Sequence, residues 1–333
     1  MNFYPFPYVD PKELEKKEEI KSIKKAGNLT GVAFFMLSSV MVLWSIPVTV
    51  VIMLISGKPD KYLDMLSDPT VTQVIQIVVS SVAFIFPFLI YLKMMKANLS
   101  DVGSFSKPKN KRLIFPLVLM GLGVCGFSNF VTSAAGIVFQ FFGFKYNVQA
   151  YEKPTDIFGI ILAFVATAVT PALVEEFAMR GVLMGVLRKY GDGFAIIVSA
   201  LVFGMMHGNL VQIPFAFILG LFFGYAVIKT GTIWTAVIIH FINNFISVCC
   251  DYLLTDPSPA EDIFFGLFYL VLLIGIGFVG LFLFHRSDGG DFKINNNTGV
   301  LRTPEKLKKF LTTPCMIIVY GIVILESFFI YAA

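Results

Sequence analysis

Three short patterns place ionisable side chains inside long apolar stretches of this sequence. Glu175, Glu176 and Arg180 lie in one stretch, His207 ends the next, and His240 lies in a third. Such residues are costly inside a membrane helix and by default mark a functional site. A carboxylate beside an imidazole can activate a water molecule, so these residue types are candidates for acid–base chemistry.

The spacing of the two glutamates predicts different tasks for them. Glu176 and Arg180 are four residues apart and can pair on one helix face. Glu175 is rotated by about 100° from Glu176 and cannot share that pair equally, which makes it the candidate general base. Pro171 has no N–H for the carbonyl of Thr167, so we expect a loosened helix before Glu175 that could admit water.

Two further patterns add an imidazole beside Glu175 and an amide beside a second imidazole. Glu175 and His207 lie equally far from a turn at Gly191. In an antiparallel hairpin their side chains would therefore lie at the same level. His240 and Asn244 are four residues apart and share a helix face. Both can donate the hydrogen bonds that stabilise an oxyanion.

The elements that must position these residues are membrane helices. Of the 333 residues, 56% are hydrophobic and 14% are charged, which argues against a soluble enzyme and against disorder. We expect an all-α fold, a polytopic integral membrane helical bundle with eight to nine transmembrane segments of ~20 residues each. Eight full spans with one re-entrant or broken piece is the alternative to nine. The apolar stretches are 29–56, 71–92, 113–142, 157–189, 194–207, 210–228, 232–250, 263–284 and 315–332.

The basic residues predict the orientation of the bundle. With the N-terminus in the cytoplasm, all but four of the 26 Lys and Arg residues fall on the cytoplasmic side. The four exceptions are Lys58, Lys61, Lys145 and Lys153. A short solvated helix is expected to begin at Asp10-Pro11. The predicted domains are a cytoplasmic tail (1–27), a transmembrane domain (28–284) with its catalytic core at 157–250, a flexible cytoplasmic linker (285–314) and a C-terminal transmembrane helix (315–333).

Together, the motifs Glu-Glu-x-x-x-Arg, Phe-x-x-x-His and His-x-x-x-Asn resemble those of the CPBP family, also called Abi. That family includes the type II CAAX prenyl proteases and proteins linked to bacteriocin processing and self-immunity. The resemblance covers about 157–250 and implies an intramembrane endopeptidase that activates water with Glu175 and His207. It also implies that His240 and Asn244 stabilise the tetrahedral intermediate. The supporting residues would be Glu176, Arg180 and Phe203.

The resemblance leaves the role of a metal open. The sequence lacks the His-Glu-x-x-His spacing that would indicate zinc. Glu175, His207 and His240 could still bind a divalent metal such as zinc. An oxyanion role accounts for Asn244, whereas a zinc site leaves it idle, so we expect catalysis without a metal cofactor.

Two other functions fit parts of the pattern. A non-catalytic bacteriocin-immunity or scaffold protein could retain the fold, and a proton-coupled transporter could use Glu175 and His207 as a relay. Broken helices do not recur in corresponding halves, which counts against the transporter. The expected partners are the lipid bilayer and a peptide or lipidated-protein substrate, without nucleic acid. The expected location is the plasma membrane if the source is prokaryotic. Glu326 is expected to lie near a span boundary or to face other helices, outside the site.

Overall fold

The computed structural model describes residues 10–56, 67–102, 104–144, 152–254, 258–296 and 298–332. Within these ranges the chain is all-α and has no strand, which confirms the predicted fold class. The helices are α1 (Pro11–Leu43), α2 (Ser45–Ser56), α3 (Pro69–Met94), α4 (Ile114–Phe141), α5 (Ile157–Tyr190), α6 (Asp192–Met205), α7 (Gln212–Thr230), α8 (Trp234–Leu253), α9 (Pro259–Arg286), α10 (Thr303–Leu311) and α11 (Pro314–Ala332).

The described residues contain seven helices that are long and apolar enough to cross a membrane. The number becomes eight if α10 and α11, which meet at a bend of 70°, count as one span. The polytopic bundle is thus confirmed, whereas a count of nine is too high for the described ranges. The difference is α6, because its 14 residues extend only about 21 Å against a hydrocarbon core of about 30 Å.

Helix α1 joins the predicted tail helix to the first span without a break. Asp10 caps its first turn by accepting a hydrogen bond from the N–H of Lys12 over 3.0 Å, and Pro11 occupies the first position. The predicted start of the helix is present. The prediction that this helix is short was wrong, because it continues to Leu43. With 33 residues, α1 is about 50 Å long, so its charged first turns extend beyond the hydrocarbon core.

Helix α5 carries the first motif and is not a regular α-helix. It is π-helical over Val165–Val169 and over Phe177–Leu183, with the α-helical stretch Thr170–Glu176 between them. Such widened segments often occur at functional sites. Pro171 follows the first of them, so the loosening predicted before Glu175 is present as a widened helix.

Helices α5 and α6 form the predicted hairpin. Gly191 turns the chain between them with φ +115°, a conformation that favours glycine. The side chains of Arg188 and Asp192 form an ion pair across this turn at 2.8 Å. Helix α6 also packs against α7, and α5 also packs against α3 and α8. These contacts bring the three motifs into one group of helices.

The predicted flexible linker contains an ordered helix, α10. Lys306 Nζ lies 3.1 Å from Glu19 Oε1 of α1; Lys306 is buried and Glu19 is partly buried. Earlier in the same segment, Asn296 accepts a hydrogen bond from the N–H of Gly193 over 2.8 Å. The prediction of a flexible linker was therefore wrong for this part of the chain. Its polar residues are ordered by partners that are distant in sequence.

Three of the four basic residues assigned to the opposite face, Lys58, Lys61 and Lys145, lie outside the described residues. The orientation of the bundle and its division into domains therefore stay predictions.

Candidate active site

The candidate catalytic residues surround one cavity inside the bundle. The cavity has a volume of about 400 Å³ and is lined by side chains of α3, α5, α6 and α8, together with α7 and the turn before it. Glu176 and Arg180 are outside this lining, since neither side chain has exposed surface. Five of the predicted residues belong to the lining: Glu175, Phe203, His207, His240 and Asn244.

Glu176 joins Arg180 and His240 in one buried cluster. Its Oε1 accepts a hydrogen bond from Arg180 Nη1 over 3.0 Å and lies 3.0 Å from His240 Nδ1. Because an ionised carboxylate only accepts hydrogen bonds, Nδ1 of His240 must carry a proton. The other ring nitrogen, Nε2, lies 3.9 Å from Glu175 Oε2. The imidazole of His240 therefore lies between the two carboxylates.

Arg180 is held by aromatic rings as well as by its carboxylate. Its Nη2 donates to the carbonyl of Gly220 in α7 over 3.3 Å. The guanidinium carbon lies 4.4 Å from the centre of the Phe203 ring and 5.2 Å from that of Phe223. Cation–π contacts stabilise a cation that is removed from water. Phe203, predicted only from the motif, thus supports the buried positive charge.

His207 is oriented by its own helix turn. Its Nδ1 lies 3.0 Å from the carbonyl oxygen of Phe203. A carbonyl only accepts hydrogen bonds, so Nδ1 carries a proton, and in the neutral form of the ring Nε2 has a free lone pair. His207 and Glu175 line the same cavity, as the hairpin predicts. The lone pair of Nε2 makes His207 able to accept a proton there.

The last helix, α11, contacts the turn that follows His207. Gly208 adopts φ +58°, and Ser327 Oγ donates a hydrogen bond to its carbonyl over 2.9 Å. A Cβ atom at Gly208 would lie 2.8 Å from Glu326 Oε2. Glu326 thus faces another segment, as expected, but that segment carries a candidate catalytic histidine. No motif relates these two parts of the chain, so the contact had no signal in the sequence.

Asn244 makes a contact that its motif does not predict. Its Nδ2 donates a hydrogen bond to the carbonyl of Thr167 over 3.0 Å, and its Oδ1 accepts one from Asn243 Nδ2 over 3.0 Å. Thr167 is the residue whose carbonyl receives no helical N–H from Pro171. One N–H of the Asn244 amide is therefore used by α5, and an amide has a second N–H that remains for a ligand.

Two further amides in the lining were missed from the sequence. Gln76 of α3 and Gln212 at the start of α7 both line the cavity, and both are exposed. Neither belongs to a charged motif. The signal that could have found them is the presence of a primary amide in an apolar stretch, since uncharged polar side chains are also costly in hydrocarbon.

The described residues contain no group of three or more His, Cys, Asp or Glu side chains arranged to hold a metal ion. Glu175, His207 and His240 share the cavity, but Nδ1 of His240 is already engaged by Glu176. That contact leaves Nε2 of His240 facing Glu175, so whether a metal takes part stays a prediction.

The fold and the cavity together define a polytopic membrane protein with a buried carboxylate–imidazole site. Residues 157–246, which include all three motifs, match the sequence model of a family described as "Type II CAAX prenyl endopeptidase Rce1-like". The predicted resemblance to the CPBP family is thereby confirmed over this part of the chain. At the level of the family, the match supports a membrane-embedded protease.

The match to a curated relative also supports a membrane peptidase. Over 113 residues the chain is 23% identical to "Putative membrane peptidase YdiL" of Bacillus subtilis (strain 168), and the match covers 33% of this chain. The chain spans about half of that relative's length, 46%. No solved structure matches the chain at a significant level.

Proposed function

We propose that this protein is an intramembrane endopeptidase that cleaves membrane-associated peptides or protein C-termini with an activated water molecule. The observation that carries the proposal is the shared cavity. Glu175 and His207 line it together with His240 and Asn244, so a base, a second imidazole and an amide meet within about 400 Å³. The match to a peptidase family supports hydrolysis of a peptide bond.

Glu175 and His207 divide the proton transfers. A water molecule between the Glu175 carboxylate and Nε2 of His207 loses a proton to this pair while its oxygen attacks the scissile carbonyl carbon. The C–N bond of the tetrahedral intermediate then breaks, and the proton passes to the leaving nitrogen. One water is consumed, and the products are a carboxyl group and an amine.

The oxyanion of the intermediate requires hydrogen-bond donors that are already in place. The second N–H of the Asn244 amide is one such donor. His240 Nε2 is the other when the ring is an imidazolium, because Nδ1 already donates to Glu176. The charges of that imidazolium and of Arg180 are then balanced by the two glutamates. Glu176 and Arg180 thus orient His240 without touching the substrate.

A cleavage assay in liposomes tests this function with a panel of membrane-anchored peptides, some with prenylated C-termini and some with leader sequences. Glu175→Gln and His207→Ala should each lower kcat by about 10²–10⁴-fold. The matched controls are Glu152→Gln and His285→Ala, the same exchanges at exposed positions outside the cavity lining. If the first two variants cleave as well as the controls, the proposed function is wrong.

The proposed reaction passes through no metal. We therefore expect cleavage to survive exhaustive chelation in the same liposomes, with no gain on later addition of zinc. Loss of activity on chelation and its recovery with zinc would instead require Glu175, His207 and His240 to close around an ion.

We further propose that the N-terminus lies in the cytoplasm, on the basis of where the Lys and Arg residues lie, and that a prokaryotic form lies in the plasma membrane. In a cysteine-free background, Lys17→Cys should react with a membrane-impermeant maleimide only after the cells are disrupted. Reaction in intact cells would reverse the orientation.

A further inference from the structure

The catalytic cavity has two walls that carry no motif residue, and each contributes one glutamine. Gln76 lies on α3, and Gln212 begins α7. Both residues line the cavity, and both are exposed rather than packed in the core. Neither residue takes part in the proposed water activation or in holding the oxyanion.

The two glutamine amides differ from the other amides of the cavity in their hydrogen bonding. Asn243 bonds to Asn244, which in turn bonds to Thr167. Within the described ranges, by contrast, no side-chain hydrogen bond joins Gln76 or Gln212 to another residue of the chain. Because both side chains line the cavity and neither amide is paired within the described ranges, each can bond to a ligand that enters the cavity.

A peptide that unwinds in this cavity has main-chain groups that require hydrogen-bond partners. In a helix, each interior main-chain N–H is used by a carbonyl of the preceding turn, so no N–H is left for a side chain. A segment unwound for cleavage loses those bonds, and in a membrane the freed groups must find partners in the protein. A glutamine amide can donate to a peptide carbonyl while it accepts from a peptide N–H.

We propose that Gln76 and Gln212 bind the main chain of an extended substrate segment in the cavity. This inference rests on the proposed function and adds the form in which the substrate is recognised. The two amides replace the helical hydrogen bonds that the segment gives up, as strand addition does in other peptide-binding proteins. The substrate class is a membrane-anchored peptide whose cleavage segment unwinds readily, and recognition depends on main-chain groups more than on side chains.

A binding experiment tests this without relying on cleavage. The Glu175→Gln protein is placed in phosphatidylcholine nanodiscs and titrated with a fluorescein-labelled, membrane-anchored, alanine-rich peptide. A set of analogues has one amide of the segment replaced by an ester, which removes one N–H. Gln76→Met and Gln212→Met remove each amide at nearly constant length, and Gln140→Met is the control, on an exposed glutamine of α4 outside the lining.

Each cavity variant should raise Kd by roughly three- to tenfold, the loss of one or two hydrogen bonds, and Gln140→Met should not. At one position of the peptide, the ester and the glutamine variant should be non-additive, because both remove the same bond. Thermal unfolding that matches the control shows that the variants are folded. Equal Kd values for all three variants, or strictly additive losses at every ester position, would overturn the proposal.

The result is separable from the outcome of the cleavage assay. If the coupled losses in Kd are found but the unsubstituted protein cleaves none of the peptides, main-chain binding stands and the peptidase function fails. If the peptides are cleaved but the couplings are absent, the peptidase function stands and this inference fails.

Discussion

The side-chain amide of Asn244 on α8 donates a hydrogen bond to the main-chain carbonyl of Thr167 on α5, over 3.0 Å. The bond connects the third motif to the widened helix that precedes Glu175. Asn243 holds the oxygen of the same amide and so sets the direction of its N–H groups. Asn244 therefore has two tasks, because it joins two helices with one N–H and presents the other to the substrate.

Replacement of Asn244 tests both tasks. Asn244→Ala should lower kcat by about 10²–10³-fold, the typical cost of one oxyanion donor. It should also reduce the free energy of unfolding by about 0.5–1.5 kcal/mol through the lost bond to Thr167. Asn243→Ala leaves both N–H groups of Asn244 in place and is the matched comparison, with a smaller loss of kcat. Equal losses in the two variants would show that the amide of Asn244 has no direct part in the reaction.

The buried pair of Glu176 and Arg180 should be strongly coupled in stability. Arg180→Met leaves a buried carboxylate without its cation, and Glu176→Gln leaves the reverse. Each should reduce the free energy of unfolding by about 3–5 kcal/mol, measured by denaturation in mixed micelles. The loss of unfolding free energy in the double variant should be much smaller than the sum of the losses in the two single variants.

A control for that cycle is present at the hairpin turn. Arg188 and Asp192 form an ion pair at the same sequence spacing, but the side chain of Arg188 is 39% exposed. Arg188→Met should therefore change the free energy of unfolding by only about 0–1 kcal/mol. If the losses of stability from Glu176→Gln and Arg180→Met are additive in the double variant, the two buried side chains are not energetically coupled, contrary to this prediction.

The contact between α11 and the turn after His207 predicts a remote effect on catalysis. Gly208→Ala introduces a Cβ at a positive φ and at 2.8 Å from Glu326 Oε2, so it should displace His207 and lower kcat with little change in KM. Ser327→Ala should have a smaller effect in the same direction, and Ser327→Thr, which keeps the hydroxyl, should restore activity.

The pH profile of kcat distinguishes positioning of His207 from general loss of stability. If Ser327 positions the imidazole, its replacement by Ala should move the profile, whereas Ser81→Ala should not. Ser81 bonds only within its own helix, to the carbonyl of Ile77. Unchanged profiles in both variants, with equal losses of thermal stability, would leave α11 with a purely structural role.

The ion pair of buried Lys306 with partly buried Glu19 should make α10 important for stability. Lys306 also donates a hydrogen bond to the carbonyl of Tyr190 at the end of α5, over 2.9 Å. Lys306→Met removes the cation from Glu19, which is partly buried and keeps its hydrogen bonds from the N–H groups of Val300 and Leu301. The change should therefore cost about 1.5–3 kcal/mol in the free energy of unfolding. Lys308→Met, at an exposed position of the same helix, should stay within about 0.5 kcal/mol of the unsubstituted chain. Similar values for the two would contradict the importance of the pair.

The parts of the fold and site that could be predicted rest on local patterns. Hydropathy located the spans, and the four-residue spacing located the contact between Glu176 and Arg180. The equal distances of Glu175 and His207 from Gly191 placed both in one cavity. Each of these relations is contained within a single helix or hairpin, where helical geometry fixes which side chains can meet.

The relations that could not be predicted join residues distant in sequence. Lys306 pairs with Glu19, and Ser327 bonds to Gly208. No spacing rule relates residues that are so far apart in the chain. The contact of Asn244 with Thr167 depends on the widened turn of α5, which changes where that carbonyl lies. The count of nine included α6, although its predicted apolar stretch (194–207) is no longer than the 14 residues of the helix.

The hydrogen bond from Ser327 to Gly208 also has a consequence for the timing of biosynthesis. The two residues are 119 positions apart, and ribosomes add about 5–20 residues per second. The turn beside His207 therefore waits roughly 6–24 s for its partner after it is made. The third motif, His240 to Asn244, is completed during that interval, but the chain still lacks the hydrogen bond from α11. A protein assembled in this order would gain the support of that turn only after the helix that carries Ser327 has been made.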